Sequence, residues 1–599
     1  MAQKVLDPKY TPWVPHYGNV RPFIDYPEVT MYEMVRRSSE QYPDKIAYEF
    51  MNDKVKYRTL IQQIDHCALC LVKEGVTADD SVLICMPNCP QAVVTLYAAN
   101  KIGAIATMVH PLSAKGEIEF YIQNCECSVV LTLDMFYSNF PEIKDGMKLQ
   151  KIIVSSIADG LSPFKAFMYK HVLDGRKDPK VDPSNRGVVF WKDMIKQDVT
   201  GVPEPVSPKT TYDGAVILYT GGTTGRSKGA LLSNMSFNST ALGMTELSEI
   251  YGTGESIAAV MPIFHGFGLC TCVHLPFCIG ITSILVPRFT PDSYSKLIVK
   301  KKINFIAGVP TLFEHMLRSK WLQNAKDLSF LRGIFCGGDT LAIEAKQRMD
   351  AFFAERKCPT FVREGFGCTE CLTATSITPK DEQRPGSVGI PMPNDYYKIT
   401  EPGTDTRVPY GTDGEICIAG PAVMNCYYNE PEETEQTLIQ SDEDGLLWLH
   451  TGDIGMMDED GFIYFKQRLK RMIITSGYNV YPSQIENILL KSGLVKESCV
   501  IGVPDPLRGS KVKAFVVPAP GVEGNTETMS KLRSYCRTQI ARYALPREYE
   551  FMETLPRTKL NKIDYRQLEQ MDAEKRASMP QKPVREHKPK REPRSKKQQ

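Results

Sequence analysis

Residues Tyr219–Gly229 read YTGGTTGRSKG, with glycines at 221, 222, 225 and 229 and one lysine, between the apolar runs AVILYT and GALLS. Glycines let backbone N–H groups approach and cup an anion, hydroxyls add donors, and a lysine adds charge, so the stretch has the parts of a polyphosphate cradle. It is not a Walker A loop. That motif opens a helix with Gly-Lys-Ser/Thr, whereas Lys228 follows Ser227 and precedes Gly229. No GxGxxG fingerprint follows a strand either. Read alone, the same residues also suit a plain turn whose hydroxyls bond locally.

Outward from this loop, Val/Ile/Leu-rich runs recur: SVLICM, AIATMVH, SVVLTL, KIIVSS, SIAAVMP, TSILVP, FIAGVP and GIFCGG. Strands buried on both faces read this way, which predicts repeated βα units and parallel sheets. The segment Leu269–Val286 is read as buried sheet, its strand-like runs and its His274 and Pro276 arguing against a membrane span. After about Asp413 the texture changes to GEICIAG and GFIYFKQ, a smaller β-rich unit. From Arg468 helix-like PSQIENILLKSG alternates with SCVIGVP and VKAFVVP. The expected fold is α/β: a large N-terminal domain of doubly wound sheets with a small β-barrel-like unit, and a smaller mobile α+β domain. The domains are expected at 1–467, 468–575 and 576–599.

At 599 residues, with 42% hydrophobic and 24% charged residues, the chain has the composition of a soluble globular protein with more than one core. Net charge is only +2, so no chain-wide field points to nucleic acid, and none is expected as a partner. The stretch from Lys582 is strongly basic and proline-containing, and reads as a disordered tail, either solubilising or drawn to anionic lipid or nucleic acid. The 17 cysteines form no evenly spaced framework and are expected reduced. Cys67-x-x-Cys70 and Cys368-x-x-Cys371 have metal-like spacing, but they stand far apart with no histidine cluster, so no zinc site is expected. MAQKVLDPKYTPWVPHYG carries no apolar core segment of a signal peptide, and a cytoplasmic protein is expected. In SPFKAFMYKHVLDGRK, Phe164, Phe167, Met168, His171 and Val172 fall at helical spacing, either a surface helix packed on the body or one touching a membrane or guarding an apolar substrate's entry.

The glycine loop resembles the signature loop of the adenylate-forming superfamily, which includes acyl-CoA synthetases, luciferases and peptide-synthetase adenylation domains. MPIFHGFG from Met261, CGGDTL from Cys336, EGFGCTE from Glu364, GEICIAGP from Gly414, TGDIG from Thr451, RLKRMIITSGYNVYPSQIE from Arg468 and PRTKLNKI from Pro556 follow in the family's order. The closest likeness is to bacterial medium- and long-chain fatty-acid–CoA ligases.

The resemblance implies that a carboxylate attacks the α-phosphate of ATP, with Mg²⁺, and that coenzyme A then takes the acyl group. By the same resemblance, Thr220, Gly222, Thr223, Thr224, Gly225 and Lys228 hold the β- and γ-phosphates, Glu370 holds Mg²⁺, and Thr369 contacts the α-phosphate. Phe366 lies against adenine with Gly337, Gly338 and Asp339 opposite; most relatives have Tyr there. Asp453 accepts the ribose hydroxyls and Arg468 adds charge beside them. Lys562 is the implied catalytic lysine, with Lys559 as its rival and Asn561 where the family has Gly. Lys470 is the implied hinge, and Gly477 lies on the pantetheine path.

His265 is read as a pocket gate, or as a packed core histidine. Peptide-synthetase domains place an Asp after the aromatic residue of the IFHG position, whereas here Gly266 follows His265, so the acid is expected to lack an ammonium group. The insert from Phe136 to about Trp191 resembles that of fatty-acid ligases, and Ile474 stands where luciferases carry Lys. The expected function is an ATP-dependent acyl-CoA synthetase for a medium- or long-chain fatty acid. The alternatives are an aryl- or bile-acid–CoA ligase, an acyl-adenylate ligase loading a carrier protein, and a nucleotide-binding scaffold without turnover. Oligomeric state is not legible.

Overall fold

The computed structural model describes residues 10–169, 181–220, 227–249, 252–471, 473–475, 478–480, 482–505, 509–540, 544–558 and 562–578. The chain divides into two compact units, Met1–Leu469 and Lys470–Gln599.

The first unit holds two large sheets of mainly parallel strands. In the eight-stranded sheet, Gly214–Tyr219, Ile105–Met108, Ser81–Cys85, Val129–Leu133, Lys151–Ser155 and Val188–Phe190 run parallel, and Gly229–Ser233 and Cys426–Tyr427 close one edge antiparallel. In the nine-stranded sheet, Val362–Phe366, Gly333–Cys336, Phe305–Gly308, Ser256–Ala259, Thr282–Leu285 and Ile46–Phe50 are parallel neighbours in that order. Every apolar run read from the sequence as a βα strand forms one, and central strands such as Ser81–Cys85 and Phe305–Gly308 are buried throughout. Continuous apolar runs need apolar cover on both faces. The helix Pro90–Ile102, buried at every position, supplies part of it.

The β-rich unit begins before Asp413, as a five-stranded antiparallel sheet that joins Tyr396–Thr400, Gly414–Ala419, Leu447–Met457, Leu438–Gln440 and Ile463–Arg468. In the second unit, Val495–Asp505 and Gly509–Pro518 form a long antiparallel pair, with Glu548–Phe551 added in parallel and the helix Pro482–Lys491 in the same core.

One expectation fails. Leu269–Val286 is mostly helix: Phe267–His274 is a π-helix, Leu275–Ile279 an α-helix, and only Thr282–Leu285 is strand. A buried apolar run has no polar face to reveal its period, so strand and buried helix look alike in sequence. His274 in this segment is fully buried, its Nδ1 2.9 Å from the Tyr97 hydroxyl and its Nε2 3.0 Å from Asn238 Oδ1. Burial pushes its pKa down to about 3, so it is neutral and donates from Nε2 to the amide oxygen. Among the described residues, no helix is long and apolar enough to cross a membrane. The helix Pro163–Met168 exposes Phe164 and Phe167, while Lys165 turns back to Asp53 and the Met51 carbonyl. His171 and Val172 lie outside the described residues.

Two sequence motifs meet backbone to backbone. A Cβ on Gly266 would stand 1.5 Å from the Leu372 carbonyl oxygen, and one on Gly367 would stand 1.5 Å from that of Thr373. Leu372 itself takes a positive φ of 67° to make this approach. Gly266→Ala and Gly367→Ala are therefore expected to cost more than about 3 kcal/mol each, seen as a fall in thermal midpoint or loss of soluble protein. Gly116→Ala, whose Cβ meets nothing within 4 Å, is expected to leave the midpoint unchanged or raise it.

Candidate active site

The glycine loop is the connection of a β-hairpin. Gly214–Tyr219 and Gly229–Ser233 pair antiparallel, so the loop leads from strand to strand, not into a helix. Its neck is closed by the Thr220 N–H donating to the Lys228 carbonyl at 2.9 Å and the Lys228 N–H donating to Thr220 Oγ1 at 3.3 Å. Gly222, Thr223, Thr224 and Gly225 lie outside the described residues.

Beyond the neck, Lys228 meets groups that the sequence reading did not single out. Its Nζ pairs with Glu433 of the helix Pro431–Thr437 and stands 4.7 Å above the ring of Tyr427. Tyr427 reaches this place because Cys426–Tyr427 adds to the edge of Gly229–Ser233, with Tyr427 opposite Ala230. Its hydroxyl donates to Glu370 Oε1 at 2.6 Å. Burial and the neighbouring Glu370 push the Tyr427 hydroxyl well above its ordinary value, so it stays a donor. Lys228 and Glu370, 142 positions apart in sequence, are thus linked through one tyrosine.

Glu370 sits in the short 3₁₀ turn Thr369–Cys371, and its carbonyl accepts from the Met424 N–H at 2.8 Å. This turn and the Gly337–Asp339 segment follow two parallel neighbours, Val362–Phe366 and Gly333–Cys336. Both therefore lie beyond the carboxyl ends of adjacent strands, where open α/β sheets bind ligands. Gly338 takes a positive φ of 78° there. Phe366 is buried and stacks on Phe465 with ring centroids 5.7 Å apart. The His265 ring accepts from the Phe267 N–H at 3.4 Å, where the π-helix begins.

Asp453 and Arg468 are cross-strand partners, and Arg468 Nε lies 3.1 Å from Asp453 Oδ1. Asp453 is 2% exposed and Arg468 is exposed. The strand segment before Asp453 is fixed by Glu415, whose Oε1 accepts from the Gly452 N–H at 2.9 Å and whose Oε2 lies 3.2 Å from His450 Nδ1. Burial opposes charge on Glu415, but His450 and the N–H groups of Gly403 and Gly452 hold its carboxyl below the usual range. Glu415, Cys417 and His450 form a metal-like group among the described residues, yet the Glu415 carboxylate is already engaged by the N–H groups of Gly403 and Gly452. Cys67 and Cys70 are buried on the helix Tyr57–Lys73; His66 Nε2 stands 3.6 Å from Cys70 Sγ and is itself 2.7 Å from the Ile195 carbonyl oxygen.

Lys562 belongs to the second unit. Its carbonyl accepts from the Thr558 N–H at 2.8 Å and its N–H donates to Thr558 Oγ1 at 3.3 Å, the neck of a second hairpin with Arg557 opposite Ile563. The side chain is exposed. Lys559, Asn561 and Gly477 lie outside the described residues, and Lys470 opens the second unit.

Residues 35–428 match the AMP-binding enzyme family, and residues 484–562 match the AMP-binding enzyme C-terminal domain. The chain belongs to the AMP-binding enzyme family. A long-chain-fatty-acid–CoA ligase of Bacillus subtilis is 32% identical to it, covering 94% of this chain and 98% of that protein. An indoleacetate–CoA ligase of Aromatoleum aromaticum is 30% identical, over 90% of this chain and 97% of that one. ATP-bound MatB from Rhodopseudomonas palustris superimposes with a TM-score of 0.75 at 25% identity, over 91% and 99% of the two chains. The enzyme is an acyl-CoA ligase of the adenylate-forming superfamily, an AMP-forming acid–thiol ligase.

In this ligase Glu364 shares a strand face with Phe366. Burial pushes its carboxyl up to about 7, against the pull of Lys346. The folded chain keeps this proton where the unfolded chain, with the ordinary value of 4.5, has lost it. The resulting penalty on stability is absent at low pH, grows as pH rises from about 4.5 to 7, and is constant above. Glu364→Gln is expected to gain about 2–3 kcal/mol at pH 8 and little at pH 4, read from urea unfolding at the two pH values.

Proposed function

We propose that the ligase joins a medium- or long-chain fatty acid to coenzyme A through an acyl-adenylate, releasing AMP and pyrophosphate. The observation that carries this reading is the end-to-end similarity to ligases named for long-chain fatty acids, 32% over 568 residues for the Bacillus subtilis protein. The packing at Gly266 supports an acid without an ammonium group, since the Leu372 carbonyl takes the space of any side chain there.

Two anions must meet in the first half-reaction, so the protein's task is charge neutralisation and positioning. Lys228 already holds an oxygen anion, the Glu433 carboxylate, so its donor chemistry fits a phosphate. In our reading Lys228 and Thr220, with Thr223 and Thr224, hold the β- and γ-phosphates, and Thr369 steadies the α-phosphate. Glu370 is the half-buried carboxylate that suits Mg²⁺, with Tyr427 fixing one of its oxygens. The bound ion would neutralise charge on the phosphate oxygens. Phe366 packs against adenine, with Gly337, Gly338 and Asp339 on its other side. Asp453 accepts the ribose hydroxyls, a task for which a buried carboxylate aligned by Arg468 is suited. Lys562, from the second unit, steadies charge at the α-phosphate. Rotation about Lys470 withdraws it and opens the thiol's path by Gly477, so that two chemistries use one site in turn. His265 gates the acid's pocket. We place the activity in the cytoplasm, and the exposed Phe164 and Phe167 support contact with a membrane surface.

Coenzyme A-dependent AMP formation across fatty, aryl and bile acids tests the reading. Thioester from fatty acids alone is the expected result; thioester from another class overturns the substrate, and pyrophosphate exchange without thioester overturns the acceptor in favour of a carrier protein. Lys562→Ala is expected to lower adenylation about 10²–10³-fold with the fold unchanged. Tyr427→Phe, which deletes only the donor to Glu370, is expected to lower pyrophosphate exchange and weaken Mg·ATP binding about tenfold.

A further inference from the structure

Cys368 and Cys371 bracket Thr369 and Glu370. The Cys371 N–H donates to the Cys368 carbonyl at 3.2 Å, closing a turn. Such a turn keeps its outer Cα atoms within about 7 Å, close to the span that a disulfide bridges, roughly 4.4–6.8 Å. The two sulfurs are 3.6 Å apart, and the Cys368 N–H points at Cys371 Sγ, 3.2 Å away. Cys368 is partly buried as a residue and Cys371 fully buried. The other close-spaced pairs differ: Cys67, Cys70, Cys125, Cys127, Cys270 and Cys272 are all buried, and the Cys70 sulfur faces His66 Nε2 at 3.6 Å.

We propose that Cys368 and Cys371 form a reversible dithiol–disulfide site that, when oxidised, displaces Thr369 and Glu370 and stops adenylation. The functional half of this proposal rests on the role assigned above to Glu370. With hydrogen peroxide as oxidant, the Cys368 sulfur attacks one peroxide oxygen, the O–O bond breaks, and the thiol proton leaves with the departing hydroxide as water. The Cys371 sulfur then attacks the sulfur of the resulting sulfenic acid, the S–O bond breaks, and the second thiol proton leaves in a second water. Two thiols lose two electrons and one peroxide gains them. An external dithiol reverses the step by exchange.

A disulfide bond is about 2.05 Å long, so the sulfurs must close by roughly 1.5 Å. The loop cannot make room by sliding as a body. Gly367 on one side abuts the Thr373 carbonyl, and Leu372 on the other is locked at positive φ against Gly266. The movement therefore falls on the two residues in between, one of which is held by Tyr427 at 2.6 Å.

The test uses the reduced full chain, exposed to hydrogen peroxide, alkylated, digested and weighed, with pyrophosphate exchange measured before and after and again after dithiothreitol. The expected result is a peptide spanning 368–371 that is two hydrogens lighter and takes up no alkyl group. Exchange should fall more than tenfold, recover with dithiothreitol, and be protected in Cys368→Ser. Two alkylated cysteines after oxidation overturn the site, and a closed disulfide with unchanged exchange overturns its effect. Glu370→Gln runs alongside: if it exchanges at the wild-type rate, the role given to Glu370 has failed, while the mass of the peptide still decides the disulfide.

Discussion

The contact on which the site depends is the approach of backbone to backbone where Gly266 meets the Leu372 carbonyl and Gly367 meets that of Thr373. Side chains cannot mediate it, because no space remains for a Cβ. It fixes the segment leading into the π-helix against the loop that follows Val362–Phe366. His265, Phe366, Thr369 and Glu370 inherit their positions from that contact. Left-handed backbone at Leu372 is the local cost, of the kind usually retained where a site must be held in place.

Around this fixed loop the other groups arrive by sheet pairing. An added edge strand brings Tyr427 between Lys228 and Glu370. A cross-strand register sets Arg468 against Asp453, and Glu415 on the adjoining strand holds the Gly452 N–H before Asp453. Glu370 and Lys228 are each held by a side chain of a neighbouring element, which limits the reorganisation left to do when charge arrives.

Much of the fold was legible in the sequence, because strands buried on both faces leave unbroken apolar runs such as SVLICM and FIAGVP. Where the run continued into FGLCTCVH the same logic misled: a helix buried on every side carries no period, and a π-helix departs even from the usual one. In the site, residues of the quoted motifs were named through the resemblance those motifs carry. Tyr427 and Glu433 lie outside the motifs, and Glu415, inside GEICIAGP, was given no role. Their roles arise from contacts with partners 57, 205 and 37 positions away, which no local spacing encodes.

The pairing of Lys228 with Glu433 gives the phosphate site proposed above an internal rival. A tethered carboxylate competes at a high effective concentration, whatever the bulk concentration of other anions. An incoming group gains a hold on Lys228 only by outbidding it. In the arrangement proposed above, a lone inorganic phosphate would meet few groups beyond that lysine, whereas a polyphosphate would also engage the loop hydroxyls and Glu370. On that reading the site would have a threshold as well as an affinity, and discrimination between small anions and a nucleoside triphosphate would be set before any base or sugar is read.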